Sequence, residues 1–137
     1  LSRGLGDVYK RQRLGMLIAV LEKRMALAMG TKDVYVNLVG GFKVEDPALD
    51  LSIISSIASS TMDKPIDQGV VICGEVGLAG EVRSISRLEH RLAEASALGF
   101  DTAIIPASNM KKNIDKLDLN IDIKSVRYVK DVFQLLF

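Results

Sequence analysis

Few side chains in this chain have the type and spacing that catalysis requires. Ser52, Ser55 and Ser56 recur along one predicted helix, and His90 is the only histidine among 137 residues. A nucleophilic serine needs a base within hydrogen-bond reach, whereas a mid-helix serine more often donates to the carbonyl four residues back. We therefore expect these serines to be packing residues and His90 to be a surface or capping residue.

The single cysteine and the glycine-rich stretch argue against a cofactor in this chain. Cys73 is the only cysteine and lies in the apolar run 70–73, which predicts a small buried hydrophobe. One cysteine excludes an intrachain disulfide and a zinc site built of cysteines. Residues 74–80 hold three glycines but lack the Gly-Lys-Ser/Thr ending of a phosphate-binding loop. No cluster of histidine, cysteine or acidic residues has metal-ligand spacing, so we expect no metal.

The basic residues allow two interpretations. Arg83, Arg87 and Arg91 recur every four residues, with Glu81 and Glu94 nearby. Ion pairs within the domain are the first interpretation, and contact with DNA phosphates is the second. A second basic region, diluted by interleaved aspartates, contains Lys111, Lys112, Lys116, Lys124, Arg127 and Lys130. The possible DNA-binding residues are Arg83, Arg87, Arg91, Lys111 and Lys112.

The composition is that of one globular domain. Hydrophobic residues make up 48% of the chain and the net charge is +1, which neither requires a nucleic-acid partner nor excludes a local basic face. The apolar run 14–21 is too short for a membrane-spanning helix, which needs about 20 residues. We expect a cytoplasmic protein with no membrane contact. Residues 1–12 show no clear hydrophobic period, and we expect a non-native or disordered leader there and one domain over 13–137.

The periodicity of apolar residues predicts the elements that position these side chains. Spacing of three and four residues over 13–27 predicts a first helix. Alternation over 33–39 predicts a strand, after which Gly40 and Gly41 allow a turn into a second strand at 42–44.

A second helix is predicted to follow this hairpin. Asp46 is a good N-cap and Pro47 suits the first helical position. The Lys64-Pro65 pair is expected to stop the helix. Its predicted inner face consists of Leu51, Ile53, Ile54, Ile57, Ala58 and Met62.

The middle of the chain predicts a strand, a turn and a return strand. The apolar run 70–73 is typical of a central strand, residues 74–80 must turn because of their glycines, and 81–85 continues as a strand. A third helix over 87–98 follows, with Ser86 as its cap and Glu89 as the capping-box partner. Its predicted core residues are Leu88, Leu92, Ala95 and Leu98, and Gly99 is expected to end it.

The remaining pattern completes the predicted fold. Residues 102–105 predict a strand, 106–112 a loop or single helical turn, 121–126 a last strand and 129–137 a terminal helix. Mixed strands and helices of this order predict an α+β two-layer domain, with a mixed sheet packed with helices.

A resemblance to a known family rests on three stretches. Residues 74–82 resemble the Gly-Glu-(Ile/Val)-x-Leu-x-Gly-x-Val segment of Lon-type proteases, and here they read Gly74-Glu75-Val76-Gly77-Leu78-Ala79-Gly80-Glu81-Val82. Together with residues 13–24 and 33–41, this segment is similar to the C-terminal Lon-protease-like domain of the bacterial RadA (Sms) DNA-repair proteins. The resemblance implies the fold called ribosomal protein S5 domain 2-like.

Two positions depart from the Lon pattern. Lon proteases carry Gly-Pro-Ser-Ala-Gly at the start of the helix after the early hairpin, where this chain has Ala48 in place of the serine. The catalytic lysine lies early in the helix after the glycine-rich connection, where this chain has Glu89. A methyl group cannot form an acyl-enzyme, and a carboxylate cannot act as the neutral amine base. The resemblance therefore implies a protease fold without peptidase activity.

The RadA-like family carries further implications. Its members are DNA-dependent ATPases that drive branch migration in recombinational repair and assemble as hexameric rings. Four-cysteine, Walker A and Lys-Asn-Arg-Phe-Gly motifs do not occur in this sequence, so ATP and zinc are expected in other, N-terminal parts of a parent protein. We expect this chain to hold subunits together in a ring and to add contacts to DNA. Two alternatives are an active Lon-class serine peptidase and the Lon-like domain of a magnesium-chelatase-related ATPase.

Overall fold

A computed structural model describes residues 13, 15–25, 46–112, 114, 117 and 119–137 of the chain. Within these residues the helices are α1 (residues 15–24), α2 (Asp50–Met62), α3 (Leu88–Ala97) and α4 (Val129–Leu136). The strands are β1 (Val70–Ile72), β2 (Glu75–Val76), β3 (Val82–Arg83), β4 (Thr102–Pro106) and β5 (Asp122–Val126), and short 3-10 helices span Pro47–Leu49 and Ala107–Lys112. The predicted leader 1–12 and the predicted strands 33–39 and 42–44 lie outside the described residues.

Three strands form a parallel sheet in the order β1-β4-β5. β1 pairs with β4 from Val70 opposite Thr102, and β4 pairs with β5 from Thr102 opposite Asp122. Residues 70–73 were predicted as a central strand; among the described strands, β1 has β4 as its neighbour, and β4 lies between β1 and β5. β4 is the longer and more deeply buried strand, which suits a position with a neighbour on either side.

The side chains of β4 alternate between two apolar clusters. Ile104 lies in a cluster with buried residues of α1, α2 and α4. Ala103 and Ile105 lie in a second cluster with Leu88 and Leu92 of α3. The parallel sheet and the antiparallel pair of β2 and β3, packed with helices, confirm the predicted α+β two-layer domain, and α3 contributes to the second cluster.

A short hairpin joins β2 to β3. Glu75 pairs with Arg83, and Val76 with Val82, in antiparallel register. The turn is closed by the bond from Gly77 N to the Glu81 carbonyl at 2.9 Å. The predicted strand over 81–85 stops at Arg83, because the backbone of Ile85 is engaged by the Asn109 side chain instead.

The hairpin also contacts the C-terminal segment. Glu81 forms an antiparallel bridge with Tyr128, and Val82 N donates to the Arg127 carbonyl at 2.8 Å. Val129 N donates to the Gly80 carbonyl at 2.9 Å. The glycine-rich connection is therefore fixed on one side by the residues that lead into α4.

The ends of α2 follow local chemistry. Asp46 is the N-cap and Pro47 opens the helical segment, as predicted, but its first turn is a 3-10 helix. The C-cap is Asp63, in the left-handed conformation with φ 53°, so the helix ends before the predicted Lys64-Pro65 stop. The predicted inner face is confirmed, since Leu51, Ile53, Ile54, Ile57 and Ala58 are buried and Met62 packs against them.

Two predictions for α3 were wrong. Arg87, not Ser86, is the N-cap residue; it adopts the left-handed conformation with φ 59°, and no side chain caps the helix. Ser86 and Glu89 therefore form no capping box. Leu98 is 74% exposed because it is the C-cap residue and lies beyond the last helical turn. Gly99 follows it with φ +94°, which confirms the predicted glycine stop.

The other predicted elements agree with the structure within a few residues. β4, the 3-10 helix after it, β5 and α4 occupy the predicted segments. The first helix is shorter than predicted, since Met25 is already a bend and residues 26–27 lie outside the described part. None of the helices in the described ranges is long and apolar enough to cross a membrane.

Candidate functional site

Ala48 lies where the family resemblance places a nucleophile. It is 3% exposed, in the 3-10 helix before α2. Its N–H donates to Asp46 Oδ1 at 3.0 Å, and its carbonyl accepts from Gly74 N at 2.9 Å. Its methyl group packs in the cluster that contains Cys73 and Leu88. The position is thus held by its backbone, and its side chain offers no group that can attack a carbonyl.

Glu89 occupies the first turn of α3, where the resemblance places the lysine. Its carboxylate is half-buried and makes no hydrogen bond or ion pair with the residues that the structure describes. An acidic side chain in the first turn interacts favourably with the helix dipole. The next residue, His90, is exposed, which confirms its predicted surface position.

An ion pair joins the turn of Ala48 to the helix of Glu89. Arg91 Nη2 lies 2.9 Å from Asp46 Oδ2, and Arg91 Nε donates to the Ser86 carbonyl at 3.3 Å. Ion pairing within the domain was predicted for Arg91, but from nearby Glu94, and the partner in the structure is Asp46. Because the partners are 45 residues apart, sequence spacing gave no signal for this pair.

The Asp46–Arg91 pair affects the pKa of Asp46 itself and that of Cys73. Burial raises the pKa of Asp46, but the Ala48 N–H and the Arg91 guanidinium outweigh it and hold that pKa below its ordinary value. Burial raises the pKa of Cys73 to about 11, against the opposing charge of Arg91. The thiol is therefore protonated at neutral pH, and Cys73 is the buried hydrophobe that the sequence predicts.

The serines of α2 are committed to the backbone. Ser52 Oγ donates to the Leu49 carbonyl at 2.9 Å, Ser55 Oγ to the Leu51 carbonyl at 2.6 Å, and Ser56 Oγ to the Ser52 carbonyl at 2.8 Å. These bonds confirm the predicted packing role. None of the three hydroxyls has an amine or imidazole base as a hydrogen-bond partner in the described structure.

Asp50 is a buried carboxylate that sequence reasoning missed. It is 1% exposed and accepts from Arg13 Nε at 2.8 Å, from Arg13 Nη2, and from Val76 N at 3.0 Å. Arg13 Nη2 also lies 3.6 Å from Glu75. The only local signal was an acidic residue beside Leu51, at the start of an apolar helix face. Its partners are distant in sequence and could not be read from spacing.

The predicted DNA-binding arginines have different environments. Arg83 is exposed and lies 3.3 Å from Glu81, which confirms the predicted ion pair. Arg87 is exposed, and no ion pair involves it within the described ranges. Arg91 is engaged by Asp46. Lys111 and Lys112 lie in the second 3-10 helix, but their side chains fall outside the described part.

The fold brings the two predicted basic regions together. Because Val82 N bonds to the Arg127 carbonyl, Arg83 and Arg127 lie on adjacent backbone segments, and both side chains are exposed. Lys130 Nζ lies 5.6 Å from the centroid of the Tyr128 ring. We use the term basic face for four exposed residues on the hairpin, at the start of α3 and around the start of α4: Arg83, Arg87, Arg127 and Lys130. Lys124, by contrast, lies 3.6 Å from Asp122. Sequence distance concealed the approach of Arg127 to Arg83.

Metal chemistry finds no support in the described ranges, which hold no group of three or more histidine, cysteine or acidic residues able to bind an ion.

Comparisons with known proteins agree with this picture. A sequence model of the family described as subunit ChlI of Mg-chelatase matches residues 10–109, which include Ala48, Glu89 and the glycine-rich connection. DNA repair protein RadA of Bacillus subtilis is 50% identical over 98 residues, covering 72% of this chain and 21% of the relative. RadA of Salmonella typhimurium is 40% identical over 124 residues (90% and 27%), and RadA of Escherichia coli is 44% identical over 103 residues (75% and 22%).

These matches also show how much of each relative the chain covers. The chain spans about a quarter of the length of these relatives. The similarity extends over most of the chain and confirms the predicted resemblance to RadA. The chain belongs to the family described as subunit ChlI of Mg-chelatase, and within it is similar to a C-terminal part of the RadA DNA-repair proteins.

Proposed function

We propose that this chain is a proteolytically inactive Lon-like domain of a RadA-type DNA-repair protein, acting as an oligomerisation scaffold and an auxiliary DNA-binding module. Support comes from relatives named DNA repair protein RadA that cover 72–93% of the chain. Because the chain spans about a quarter of them, we assign DNA-dependent ATP hydrolysis, branch migration and zinc binding to other parts of a parent protein. We place that parent in the cytoplasm.

The observation that carries the inactive assignment is the buried methyl group of Ala48. It lies where the resemblance places the nucleophile, and the backbone there is fixed by bonds to Asp46 and Gly74. The neighbouring helix offers the carboxylate of Glu89 where an amine base is required. The α2 serines that might replace the nucleophile are bonded to backbone carbonyls.

Labelling with a fluorophosphonate probe tests this assignment. We expect no covalent adduct on the chain, because no described serine is paired with a base. Labelling that disappears in Ser52→Ala, Ser55→Ala or Ser56→Ala, but persists in the control Ser60→Ala, would establish an active peptidase and overturn the proposal.

The scaffold role rests on the resemblance to ring-forming RadA proteins. We expect the parent protein to assemble as a hexameric ring through contacts that include this domain. Mass measurement in solution, with and without the segment that corresponds to residues 13–137, tests this role. Hexamers that persist at the same concentration without the domain would contradict it.

The DNA-binding role rests on the basic face. Arg87 and Arg127 are exposed and make no ion pair within the described part of the chain, so both can approach phosphate. Arg91 is a poorer candidate than the sequence suggested, because Asp46 already binds its guanidinium.

A second candidate is the Lon-like domain of a magnesium-chelatase-related ATPase, which the description of the family model favours. Such a domain also lacks the dyad, so the site does not separate the two candidates. The open reading frame of the parent protein distinguishes the two candidates. A RecA-like ATPase encoded immediately upstream supports the RadA-type assignment, and a chelatase-type ATPase module encoded downstream contradicts it.

A further inference from the structure

One carboxylate holds the start of α2 and the first half of α3 at the same time. Asp46 Oδ1 accepts from Ala48 N at 3.0 Å, and Oδ2 accepts from Arg91 Nη2 at 2.9 Å. Arg91 is further tied to the Ser86 carbonyl at 3.3 Å. No other ion pair in the described residues links the turn of Ala48 to α3. The pair therefore joins the two segments that carry the proposed dyad positions.

Cys73 lies in the same apolar cluster as Ala48, which is two residues from Asp46. The residue after it, Gly74, donates its N–H to the Ala48 carbonyl at 2.9 Å. The Cys73 side chain is 8% exposed and packs in the same cluster as Ala48. The charge of Arg91 also reaches the thiol, since it opposes the effect of burial on the Cys73 pKa. Ala48 and Cys73 thus form an apolar floor next to the segment that carries Asp46.

We propose that the Asp46–Arg91 ion pair is a strap across the degenerate dyad site, and that its opening exposes the floor of Ala48 and Cys73. Both partners are about one-third exposed. An ion pair of this kind stabilises weakly, so its opening is a local event that needs no global unfolding. The identification of the site as a former dyad rests on the proposed function, whereas the opening itself does not.

Alkylation of Cys73 by N-ethylmaleimide measures the opening, because the chain has no other cysteine. We expect the rate at pH 7 to rise about threefold to fivefold in Arg91→Met and in Asp46→Asn, the range that loss of a partly exposed ion pair allows. Asparagine still accepts from the Ala48 N–H, so that variant removes the charge and keeps the cap.

The sign of the change separates the strap from a simple charge effect. If Arg91 acted only on a thiol that reacts in place, its loss would raise the Cys73 pKa further and slow alkylation. An unchanged or slower rate in Arg91→Met would therefore overturn the proposal. Arg91→Lys keeps a cation beside Asp46 and is expected to react within about twofold of the wild-type rate.

A matched control separates local opening from lower stability. Lys124→Met breaks the exposed pair with Asp122 on β5 and is expected to leave the alkylation rate unchanged. The urea midpoint of unfolding is measured for every variant, Lys124→Met included. If the alkylation rate rises only in proportion to the loss of stability that these midpoints show, the strap is contradicted. Peptidase activity would overturn the inactive assignment and leave these rates valid, so the two proposals fail separately.

Discussion

Asp50 is the carboxylate on which three elements converge. It belongs to α2, accepts two bonds from Arg13 at the start of the described chain, and accepts a third from Val76 of β2. Burial of an ionised carboxylate is costly unless bonds of this kind compensate it. The side chain is therefore required for the fold, although its sequence context identifies it only as a polar residue beside an apolar stripe.

Replacement of Asp50 by alanine is expected to destabilise the domain by about 3 kcal/mol, because it strands the Val76 N–H and removes one carboxylate partner of Arg13. The control Asp122→Ala removes a carboxylate from the exposed pair with Lys124 and is expected to cost less than about 1 kcal/mol. Urea unfolding of both variants measures the difference. Equal losses in the two variants would contradict the role assigned to Asp50.

Asp46 predicts a pH dependence of stability. Its folded-state pKa is below the ordinary value of 3.8 despite burial, so folding favours the ionised form. The contribution is fully present above the unfolded-state pKa and is lost as pH falls through the folded-state pKa. We expect the stability difference between wild type and Asp46→Asn to be constant from pH 5 to 7 and to shrink below about pH 4. A difference that grows on acidification would show the opposite sign and contradict the ion pair.

The turn of the β2–β3 hairpin depends on the backbone conformation of a glycine. Gly80 has φ +78°, and a Cβ there would lie 3.6 Å from the Arg24 side chain of α1, which is ordinary contact. The requirement is therefore one of backbone conformation and not of space. The carbonyl of Gly80 also accepts from Val129 N, which ties the turn to α4.

Substitution Gly80→Ala is expected to cost about 1–2 kcal/mol, because alanine is strained in the left-handed region. The matched change Gly15→Ala lies in α1, where an added Cβ meets nothing within 4 Å. It is expected to raise stability by up to about 1 kcal/mol, since alanine is the better helix former. Thermal unfolding of the two variants measures both changes in stability. A neutral Gly80→Ala would show that the turn tolerates another conformation.

Local patterns predicted the elements better than their ends. The apolar run of β4 and the alternation around Ile123 were sufficient to place both strands, and Asp46-Pro47 placed the start of α2. The cap of α3 was missed because Arg87 adopts a left-handed conformation that favours glycine, which no local residue signals. The stop of β3 was missed because Asn109, 24 residues away, binds the backbone of Ile85 at 3.0 and 2.9 Å.

At the scale of the molecule, tertiary contacts hold the predicted fold together around the glycine-rich connection. The glycine-rich connection is held by Glu81, Tyr128 and α4. The buried methyl group of Ala48 and the carboxylate of Glu89 lie where the resemblance places the dyad, and Glu89 makes no ion pair with any described residue. The motif comparison predicts both positions from sequence alone. The ion pair between their elements and the joining of the two basic regions depend on tertiary contacts, and only the structure reveals them.

The proposed DNA binding depends on the basic face. Arg83, Arg87 and Arg127 project from the hairpin, the start of α3 and the segment before α4, and all are exposed. A surface assembled from three elements depends on the hairpin staying closed, so the hairpin is expected to hold Arg83 in position for phosphate contact. Lys64, beyond the C-terminal end of α2, is exposed but belongs to none of these elements.

The most direct test is the salt dependence of DNA binding by the full-length parent protein with Arg83→Glu and Arg87→Glu, each made alone. Both changes replace one non-glycine residue by another, so the strain at Arg87 stays the same. We expect weaker binding and a slope of log K against log salt that is shallower by about 0.9 for each phosphate contact removed. The control Lys64→Glu makes the same charge change and is expected to keep the wild-type slope. Wild-type affinity and slope in both arginine variants, or equal loss in Lys64→Glu, would contradict the account.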